Sequence, residues 1–294
     1  MDRNARAAQL LCRLQHGLLV CDGATGTSLA AGGHGAGASL ETLNVEQPDR
    51  VRAVHQAYVE AGADIVETNT FQGSRSALER HGLGDRAAEF NEAGARLARE
   101  AAGERAFVAG CIGPTGRVLE PYGDYAEAAA RAGFEEQASA LARGGVDLFI
   151  VETFSALEEI RLAVAAAAAT GLPVAASMAF DPNGRTAFGV RPQRAAEELA
   201  AAGAHAVGAN CGTIAPVEMV DILRGFREAT TLPLIAQPNA GRPQRGDTGV
   251  VYPEGPETVA EAAALFRDLG ATIIGGCCGT RPEHIRAIAQ RLRG

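Results

Sequence analysis

The chain has 294 residues, is 47% hydrophobic and carries a formal net charge of -8. Its length provides enough apolar material for one large domain or two small ones. The acidic balance argues against binding to nucleic acids or anionic membrane surfaces. No apolar run reaches the length of a membrane span. The first residues also lack a secretory signal, because Arg13 and Gln15 interrupt their apolar stretch, so we expect a cytoplasmic protein.

Short apolar runs alternate with amphipathic stretches rich in Ala, Glu and Arg along the chain. The apolar runs predict eight strands, at 18–22, 64–68, 106–111, 147–153, 173–178, 204–210, 233–237 and 272–275. The amphipathic stretches predict helices at 50–61, 86–102, 125–143, 156–170, 194–202, 216–229, 257–269 and 282–292. This alternation favours a single-domain (β/α)8 barrel over residues 1–294, with its core at about 18–292. A doubly wound open sheet is the alternative, but it would show a glycine fingerprint at its switch point.

Connections that follow the predicted strands are longer than those that precede them. The longest span residues 28–48, 112–124, 179–192 and 238–256. In a (β/α)8 barrel these loops lie at the carboxyl-end face, where active sites form. Seven of the eight predicted strands also end in a polar or cysteine-containing cluster. The sequence therefore predicts one site at this face.

Three cysteines dominate the clusters after the sixth and eighth strands. Cys211 lies in Asn-Cys-Gly, and Cys277 and Cys278 lie in Gly-Gly-Cys-Cys-Gly. The flanking glycines allow a backbone turn that brings adjacent thiols to one side. Three thiolates can hold zinc and leave its fourth position open, as catalytic zinc sites do. Buried small residues or a vicinal disulfide remain open as alternatives for Cys277 and Cys278.

The remaining cysteines and the histidines are interpreted as structural. Cys12, Cys21 and Cys111 are predicted to be core residues. The histidines do not cluster in the sequence, and each is expected to be exposed or hydrogen-bonded: His16, His34, His55, His81, His205 and His284. The chain contains no Lys, so all 27 basic residues are Arg, which excludes Schiff-base chemistry on a lysine.

Two acidic residues end the first and fourth predicted strands. Asp22 and Glu152 could both face an amino group at the barrel mouth, or they could instead cap helices and brace turns. The loop after Asp22 could hold a carboxylate with its backbone N–H groups, and it comprises Gly23, Ala24, Thr25, Gly26 and Thr27. Together these groups predict a site for a zwitterionic amino acid. Asn239 could supply a displaceable oxygen ligand to the metal, or it could simply be a turn residue.

As an ordered set, the motifs resemble the homocysteine S-methyltransferase family. They are Asp-Gly-Ala-Thr-Gly-Thr, Glu-Thr-Asn-Thr-Phe, Gly-Pro-Thr-Gly, Glu-Thr-Phe, Asn-Cys-Gly, Pro-Asn-Ala-Gly and Gly-Gly-Cys-Cys-Gly-Thr. The chain is most similar to the homocysteine-binding module of cobalamin-dependent methionine synthase, over residues 18 to about 292. The resemblance implies a (β/α)8 barrel with zinc on Cys211, Cys277 and Cys278. It also implies that homocysteine binds near Asp22, Glu152, Asn210 and the backbone of residues 24–27.

The expected activity is a zinc-dependent transfer of a methyl group to homocysteine, giving methionine. We expect no folate or cobalamin module in this chain, so the donor stays open. S-methylmethionine or S-adenosylmethionine is the first choice, because neither requires a partner domain. Betaine is disfavoured because the chain has no Trp for a cation–π cage. A separate corrinoid protein could deliver the methyl group, and another small thiol could be the acceptor.

Two readings from other functional classes remain open. A barrel lyase or isomerase could bind phosphate at the glycines of the last loops, around Gly275, Gly276 and Gly279. Alternatively, the cysteines could form a zinc or redox sensor without catalytic activity. A sensor would not need seven polar strand ends at one mouth.

Overall fold

The computed structural model describes residues 3–31, 38–246 and 249–294. Ten strands lie in these ranges: β1 Leu19–Val20, β2 Ile65–Glu67, β3 Phe107–Ile112, β4 Leu148–Phe154, β5 Val174–Met178, β6 Ala206–Asn210, β7 Leu234–Gln237, β8 Gln244–Gly246, β9 Gly249–Val251 and β10 Ala271–Ile274. The α-helices of the described residues are α1 Arg3–His16, α2 Thr25–Ala31, α3 Leu43–Glu46, α4 Pro48–Ala61, α5 Arg75–Glu79, α6 Ala87–Ala102, α7 Glu127–Gly144, α8 Leu157–Ala168, α9 Pro192–Ala201, α10 Met219–Ala229, α11 Pro256–Asp268 and α12 Pro282–Arg293.

Eight of these strands form one parallel sheet in the order β1-β10-β7-β6-β5-β4-β3-β2. The two ends of the sheet meet through a parallel bridge between Cys21 and Ile65. At this junction Asp22 N donates to Ile65 O over 3.0 Å, and Asp64 N donates to Val20 O over 2.7 Å. The sheet therefore closes, and the predicted (β/α)8 barrel is confirmed in place of the open sheet.

Helix α1 covers the amino-end opening of the barrel. Leu10 and Leu14 are buried there among the inward-facing residues of the strands, such as Ile150 and Ile235. Arg6 is also buried, and its Nε donates to Asp147 Oδ1 over 3.0 Å. Apolar residues thus fill the lower half of the barrel, while the strand–helix interface forms a second, larger core.

The long connections at the carboxyl-end face contain structure that the sequence patterns did not predict. The connection after β1 contains α2 and α3, and the connection after β7 contains the antiparallel pair β8 and β9. Helical segments of four and seven residues and strands of three residues are too short to show a period of 3.6 or 2. The loops therefore bring regular structure to the rim of the barrel mouth.

Two predictions about single side chains are wrong. Cys12 is exposed on α1, because α1 turns this position away from the barrel that buries Leu10 and Leu14. His55 is fully buried on α4, and neither of its ring nitrogens has a hydrogen-bond partner among the described residues. His284 is buried and hydrogen-bonded as expected, and His34 lies outside the described residues.

None of the helices in the described ranges has both the length and the apolar character needed to cross a membrane.

Candidate active site

A cavity of about 410 Å³ opens at the carboxyl ends of the barrel strands. The predicted site residues that line it are Gly23, Ala24, Thr25, Gly26, Thr27, Glu152, Cys211, Cys277 and Cys278. The other predicted residues, Asp22, Asn210 and Asn239, are buried and do not line it. The topology thus brings predicted residues from four parts of the sequence to one mouth, as the strand-end pattern predicts.

The three cysteine sulfurs lie close enough to share one metal ion. The Sγ atoms of Cys211, Cys277 and Cys278 are within 4.8 Å of one another, and those of Cys211 and Cys278 are 3.9 Å apart. Tetrahedral zinc with Zn–S bonds of 2.3 Å requires sulfurs about 3.8 Å apart. All three cysteines are free and partly exposed to the cavity. The donor set therefore fits a zinc ion with one open position.

An unusual backbone holds these sulfurs in place. Cys211 has a φ of 54° and Gly212 a φ of 75°, so the chain turns sharply after β6. A Cβ on Gly212 would lie 2.2 Å from Phe180 O, which explains why glycine is required there. On the other side of the sulfur cluster, Cys277 N donates to Pro238 O over 2.7 Å. The loops after β7 and β10 are thereby connected beside the sulfurs.

Asn239 contributes a buried oxygen atom without a partner. Its Nδ2 donates to Gly212 O over 3.0 Å, which holds the side chain beside the Cys211 turn. Its Oδ1 has no hydrogen-bond partner among the described residues, although the residue is only 1% exposed. A buried acceptor without a donor is costly and calls for an explanation. An oxygen ligand to a metal held by the neighbouring sulfurs would provide one.

The three thiols polarise one another. Hydrogen bonds from Cys211 and Cys277 lower the pKa of Cys278 to about 3, and the hydroxyl of Tyr252 adds to this effect. Hydrogen bonds with Cys211 and Cys278 raise the pKa of Cys277 well above its ordinary value, and burial raises it further. The shared hydrogen bonds thus favour the thiolate form of Cys278, which suits the cluster to binding a cation.

A hydrogen-bond network supports the acidic wall of the cavity. Glu152 accepts from Asn210 Nδ2 over 2.8 Å and from Cys111 Sγ over 3.2 Å. Asn210 Oδ1 in turn accepts from Thr153 N over 2.9 Å and from Ser177 Oγ over 2.8 Å. Thr153 has a φ of 64°, which is uncommon for a β-branched residue. Asn210 therefore positions Glu152 and Thr153 from behind the cavity wall.

Asp22 lies below the cavity and is fully buried. Its Oδ2 accepts from Glu67 N over 3.0 Å, and Cys21 Sγ lies 3.6 Å from its Oδ1. Burial raises the pKa of Asp22, Glu67 and Glu152, and the negative charge of Glu67 raises those of Asp22 and Glu152 further. The floor of the site is thus a group of carboxyls that retains protons more readily than free carboxyls do.

Several residues of the cavity wall were missing from the predicted site. Glu67, Cys111 and Thr153 all line the cavity, at the ends of β2, β3 and β4. Cys21 and Cys111 are buried as predicted, but both contact carboxylates rather than only apolar side chains. The signal was their place in strand-end motifs, since a strand-end residue of a (β/α)8 barrel reaches the mouth.

The glycines of the last loop are explained by close packing. A Cβ on Gly275 would lie 2.7 Å from Cys21 Cβ, and one on Gly276 would lie 2.5 Å from Thr280 Oγ1. A Cβ on Gly279 would lie 2.5 Å from Tyr252 Cβ. These contacts account for the glycines without a phosphate ligand.

Two methionine synthases are similar to this chain over almost its full length. The chain is 34% identical to methionine synthase of Mycobacterium tuberculosis, over 99% of this chain and 26% of the relative. It is 33% identical to methionine synthase of Mycobacterium leprae, over 96% of this chain and 25% of the relative. The chain thus spans about a quarter of these relatives.

Among solved structures, the metallated form of the homocysteine methyltransferase MmuM from Escherichia coli superposes with a TM-score of 0.79. The two chains are 27% identical, over 97% of this chain and 99% of the other. The family model for homocysteine S-methyltransferase matches residues 19–292, which include every strand of the barrel. The chain therefore belongs to the homocysteine S-methyltransferase family of enzymes.

Proposed function

We propose that this protein transfers a methyl group from a small activated donor to the sulfur of L-homocysteine, in a zinc-dependent reaction that gives methionine. The observation that carries the proposal is the group of three cysteine sulfurs within 4.8 Å on the wall of the cavity. The same cavity holds carboxylates on one side and the first turn of α2 on the other. These are the groups that a thiol-bearing amino acid requires.

The chain offers a partner for each end of homocysteine. The ammonium group binds on the side of Glu152, above the buried Asp22. The carboxylate binds at the beginning of α2, where the first N–H groups of a helix have no partner within it. Ala24 N already donates to Thr280 Oγ1 over 3.2 Å, so the N–H groups of residues 25–27 carry this role. The substrate sulfur then points towards the cysteines.

Cys211, Cys277 and Cys278 would hold the zinc ion, and Asn239 Oδ1 would be the oxygen that the substrate displaces. Bound zinc would favour the thiolate form of the substrate sulfur, which is the nucleophilic form. The cavity walls hold the substrate in one orientation, and such positioning lowers the barrier of a two-substrate reaction by several kcal/mol. No general base is needed at the methyl carbon, because the methyl group gives up no proton.

S-methylmethionine or S-adenosylmethionine is the proposed donor, since both carry a sulfonium leaving group and need no second protein. One observation favours a protein-delivered methyl group, such as that of a corrinoid protein, as the alternative. Of the eight large apolar side chains exposed among the described residues, seven lie at the carboxyl-end face: Val45, Val118, Tyr122, Phe188, Val217, Val250 and Val251. A contiguous exposed apolar patch beside a site is typical of a protein contact.

Methionine formation from L-homocysteine tests the proposal. The purified protein is incubated with S-methylmethionine, S-adenosylmethionine, betaine or methylcobalamin, and methionine is quantified by mass spectrometry. Turnover with one sulfonium donor supports the first choice, whereas turnover with methylcobalamin alone identifies the alternative donor. A second small thiol, such as cysteine, is run beside homocysteine to identify the acceptor. Absence of product from every pair would contradict the proposed activity.

The metal requirement is tested by removing one sulfur. Cys278→Ala should abolish both zinc content and turnover, because two sulfurs and one amide oxygen hold zinc far more weakly than three sulfurs. Zinc is measured by plasma mass spectrometry after dialysis. Cys12→Ala is the matched control, since Cys12 is exposed on α1 at the opposite end of the barrel. A fully active Cys278→Ala variant without zinc would disprove the metal's role.

A further inference from the structure

A second cavity, of about 610 Å³, lies beside the candidate active site at the carboxyl-end face. The loops after β3, β4 and β5 form it, and the function proposed above gives it no role. Thr153 lines both cavities, so they share a wall. Asn210 Nδ2 donates to Thr153 Oγ1 over 2.6 Å and lies 3.8 Å from Cys277 Sγ. One side chain therefore separates this wall from the cysteine sulfurs.

Apolar side chains line much of the second cavity. Leu119 and Val190 are partly buried there, and Val118, Tyr122 and Phe188 are exposed around it. Two aromatic rings are thus available to pack against a planar group. Cavities of roughly 300–1,000 Å³ hold drug-sized ligands. The size and the lining therefore favour a ligand larger than an amino acid.

The charged side chains of the second cavity are mostly acidic. Glu120 and Glu158 are exposed, and neither forms an ion pair with another described residue. Arg117 is the one cation among the described lining residues, and its charge is already engaged. Its Nη2 donates to Asp124 Oδ1 over 2.9 Å, and its guanidinium lies 5.1 Å from the centre of the Tyr125 ring. The cavity therefore suits a positively charged ligand.

Glu159 adds a buried carboxyl with one oxygen free. The residue is 6% exposed, and burial raises its pKa. Thr115 donates to Glu159 Oε1 from its backbone nitrogen over 2.8 Å and from its hydroxyl over 2.5 Å. Oε2 has no hydrogen-bond partner within the described ranges, although Glu159 lines the cavity. A buried carboxylate without counter-charge is costly, and a cationic ligand would supply the missing charge.

We propose that the second cavity binds the methyl donor, and that this donor is a sulfonium cation with a large planar substituent, as in S-adenosylmethionine. Its charge is balanced by Glu158 and Glu159, and its planar group packs against Tyr122 or Phe188. Its methyl group points past Thr153 towards the cysteine sulfurs. S-methylmethionine would leave much of the cavity empty. This inference rests on the proposed function, because it assumes that the acceptor sulfur lies at the cysteines.

The transfer balances in this arrangement. The electron pair of the homocysteine thiolate forms the new C–S bond, and the pair of the broken C–S bond stays on the donor sulfur. The sulfonium thereby becomes a neutral thioether, and no proton moves in this step. Loss of the positive charge weakens the attraction to Glu158 and Glu159. The acidic cavity should therefore bind the donor more tightly than its demethylated product.

Calorimetry on the zinc-loaded protein tests the cavity without requiring turnover. S-adenosylmethionine, S-methylmethionine and S-adenosylhomocysteine, the demethylated product, are titrated separately. Glu159→Gln keeps the oxygen that accepts from Thr115 but removes the charge of the buried carboxyl. L-homocysteine is titrated into the same variant, which shows whether the first cavity is intact.

Two exposed residues provide variants that do not disturb the core. Phe188→Ala removes one ring, and Glu158→Gln removes the charge at the second residue of α8. Glu257→Gln is the matched control for the charge, because Glu257 is exposed at the second residue of α11 and lines neither cavity. Leu265→Ala is the matched control for the ring, because Leu265 is exposed on α11.

The wild-type protein should bind S-adenosylmethionine about tenfold or more tighter than S-methylmethionine, and also tighter than S-adenosylhomocysteine. Glu159→Gln should weaken S-adenosylmethionine binding by about tenfold or more. Phe188→Ala should weaken it by about fivefold or more, and Glu158→Gln by about two- to fivefold. Both controls should bind S-adenosylmethionine as the wild type does, and homocysteine binding should not change in any variant.

Three results would overturn the inference. S-methylmethionine that binds as tightly as S-adenosylmethionine would show that the planar group makes no contact. Unchanged S-adenosylmethionine binding in Phe188→Ala and Glu158→Gln would place the donor outside the second cavity. Methionine formed with methylcobalamin but with neither sulfonium would assign this face to a protein partner. Each of these leaves homocysteine methylation standing, whereas absence of methionine with every donor would contradict the proposed function itself.

Discussion

His55 is a buried imidazole without hydrogen bonds among the described residues, and burial lowers its pKa to about 4. In the unfolded chain the same ring titrates near 6.5. Between these values the unfolded state binds more protons, so the contribution of His55 to stability falls as the pH falls from about 6.5 to about 4. Above this window the neutral ring causes no pH dependence.

Replacing His55 should therefore change the pH dependence of stability. Between pH 7.5 and pH 5 the wild type should lose about 2 kcal/mol of unfolding free energy through this residue. His55→Leu should lack that loss, because leucine does not titrate. Urea unfolding of both proteins at the two pH values measures it, and the difference between them cancels the opposite effect of the buried carboxyls. Identical pH dependence would show that His55 is hydrated or paired in solution.

For single residues, the sequence predicted which cysteines come together, because a residue's position at a strand end and its type together indicate that it reaches the barrel mouth. It did not predict that Asp22 lies below the cavity while Glu67 lines it. Both are acidic residues at strand ends, and only the stagger of neighbouring strands decides which one reaches the mouth. Cys12 was assigned to the core for a related reason, since a single residue in a helix does not reveal its own face.

The turn after β6 is the element on which the cysteine geometry most depends. Gly212→Ala should force the turn open, because its Cβ would meet Phe180 O at 2.2 Å and its φ of 75° is unfavourable for alanine. We expect a loss of about 1–3 kcal/mol of stability and weaker zinc binding through displaced Cys211. Thermal unfolding and zinc competition with a chelator measure the two effects.

Gly133→Ala is the matched control for that variant. Gly133 lies inside α7, and a Cβ there would meet nothing within 4 Å. Alanine should stabilise the helix by about 0.5–1 kcal/mol and leave zinc binding unchanged. If both variants behaved alike, the turn after β6 would not be strained in solution.

Among the elements, the eight barrel strands and their following helices were predictable from alternation of apolar runs and amphipathic stretches. The residues of α2 and of the β8–β9 pair were assigned to loops, because short elements at a rim are stabilised by neighbours far away in sequence. This matters for the site, since α2 supplies the N–H groups to which we assign the substrate carboxylate. The sequence indicated those residues through their glycines and threonines but did not predict their helical form.

For the molecule as a whole, α1 acts as a plug at the end of the barrel opposite the site. Arg6→Gln should lower the unfolding free energy by about 3 kcal/mol, because it leaves Asp147 buried with one of its ion pairs broken. Zinc content and turnover should not change, since this contact lies at the amino ends of the strands. Urea unfolding beside the exposed-residue control Arg286→Gln provides the comparison. A loss of turnover without a loss of stability would contradict the purely structural role of α1.

Closure of the barrel has a consequence for the time at which the protein can fold during translation. β1 pairs with β10, and their partners Leu19 and Ile273 lie at opposite ends of the sequence. At 5–20 residues per second, a ribosome needs roughly 10–50 s to travel between them. Throughout that interval β1 lacks its later neighbour, so the nascent chain exposes one strand edge next to Cys21 and Asp22. Any chaperone that attends this chain would therefore have to protect its first strand until the last has been made.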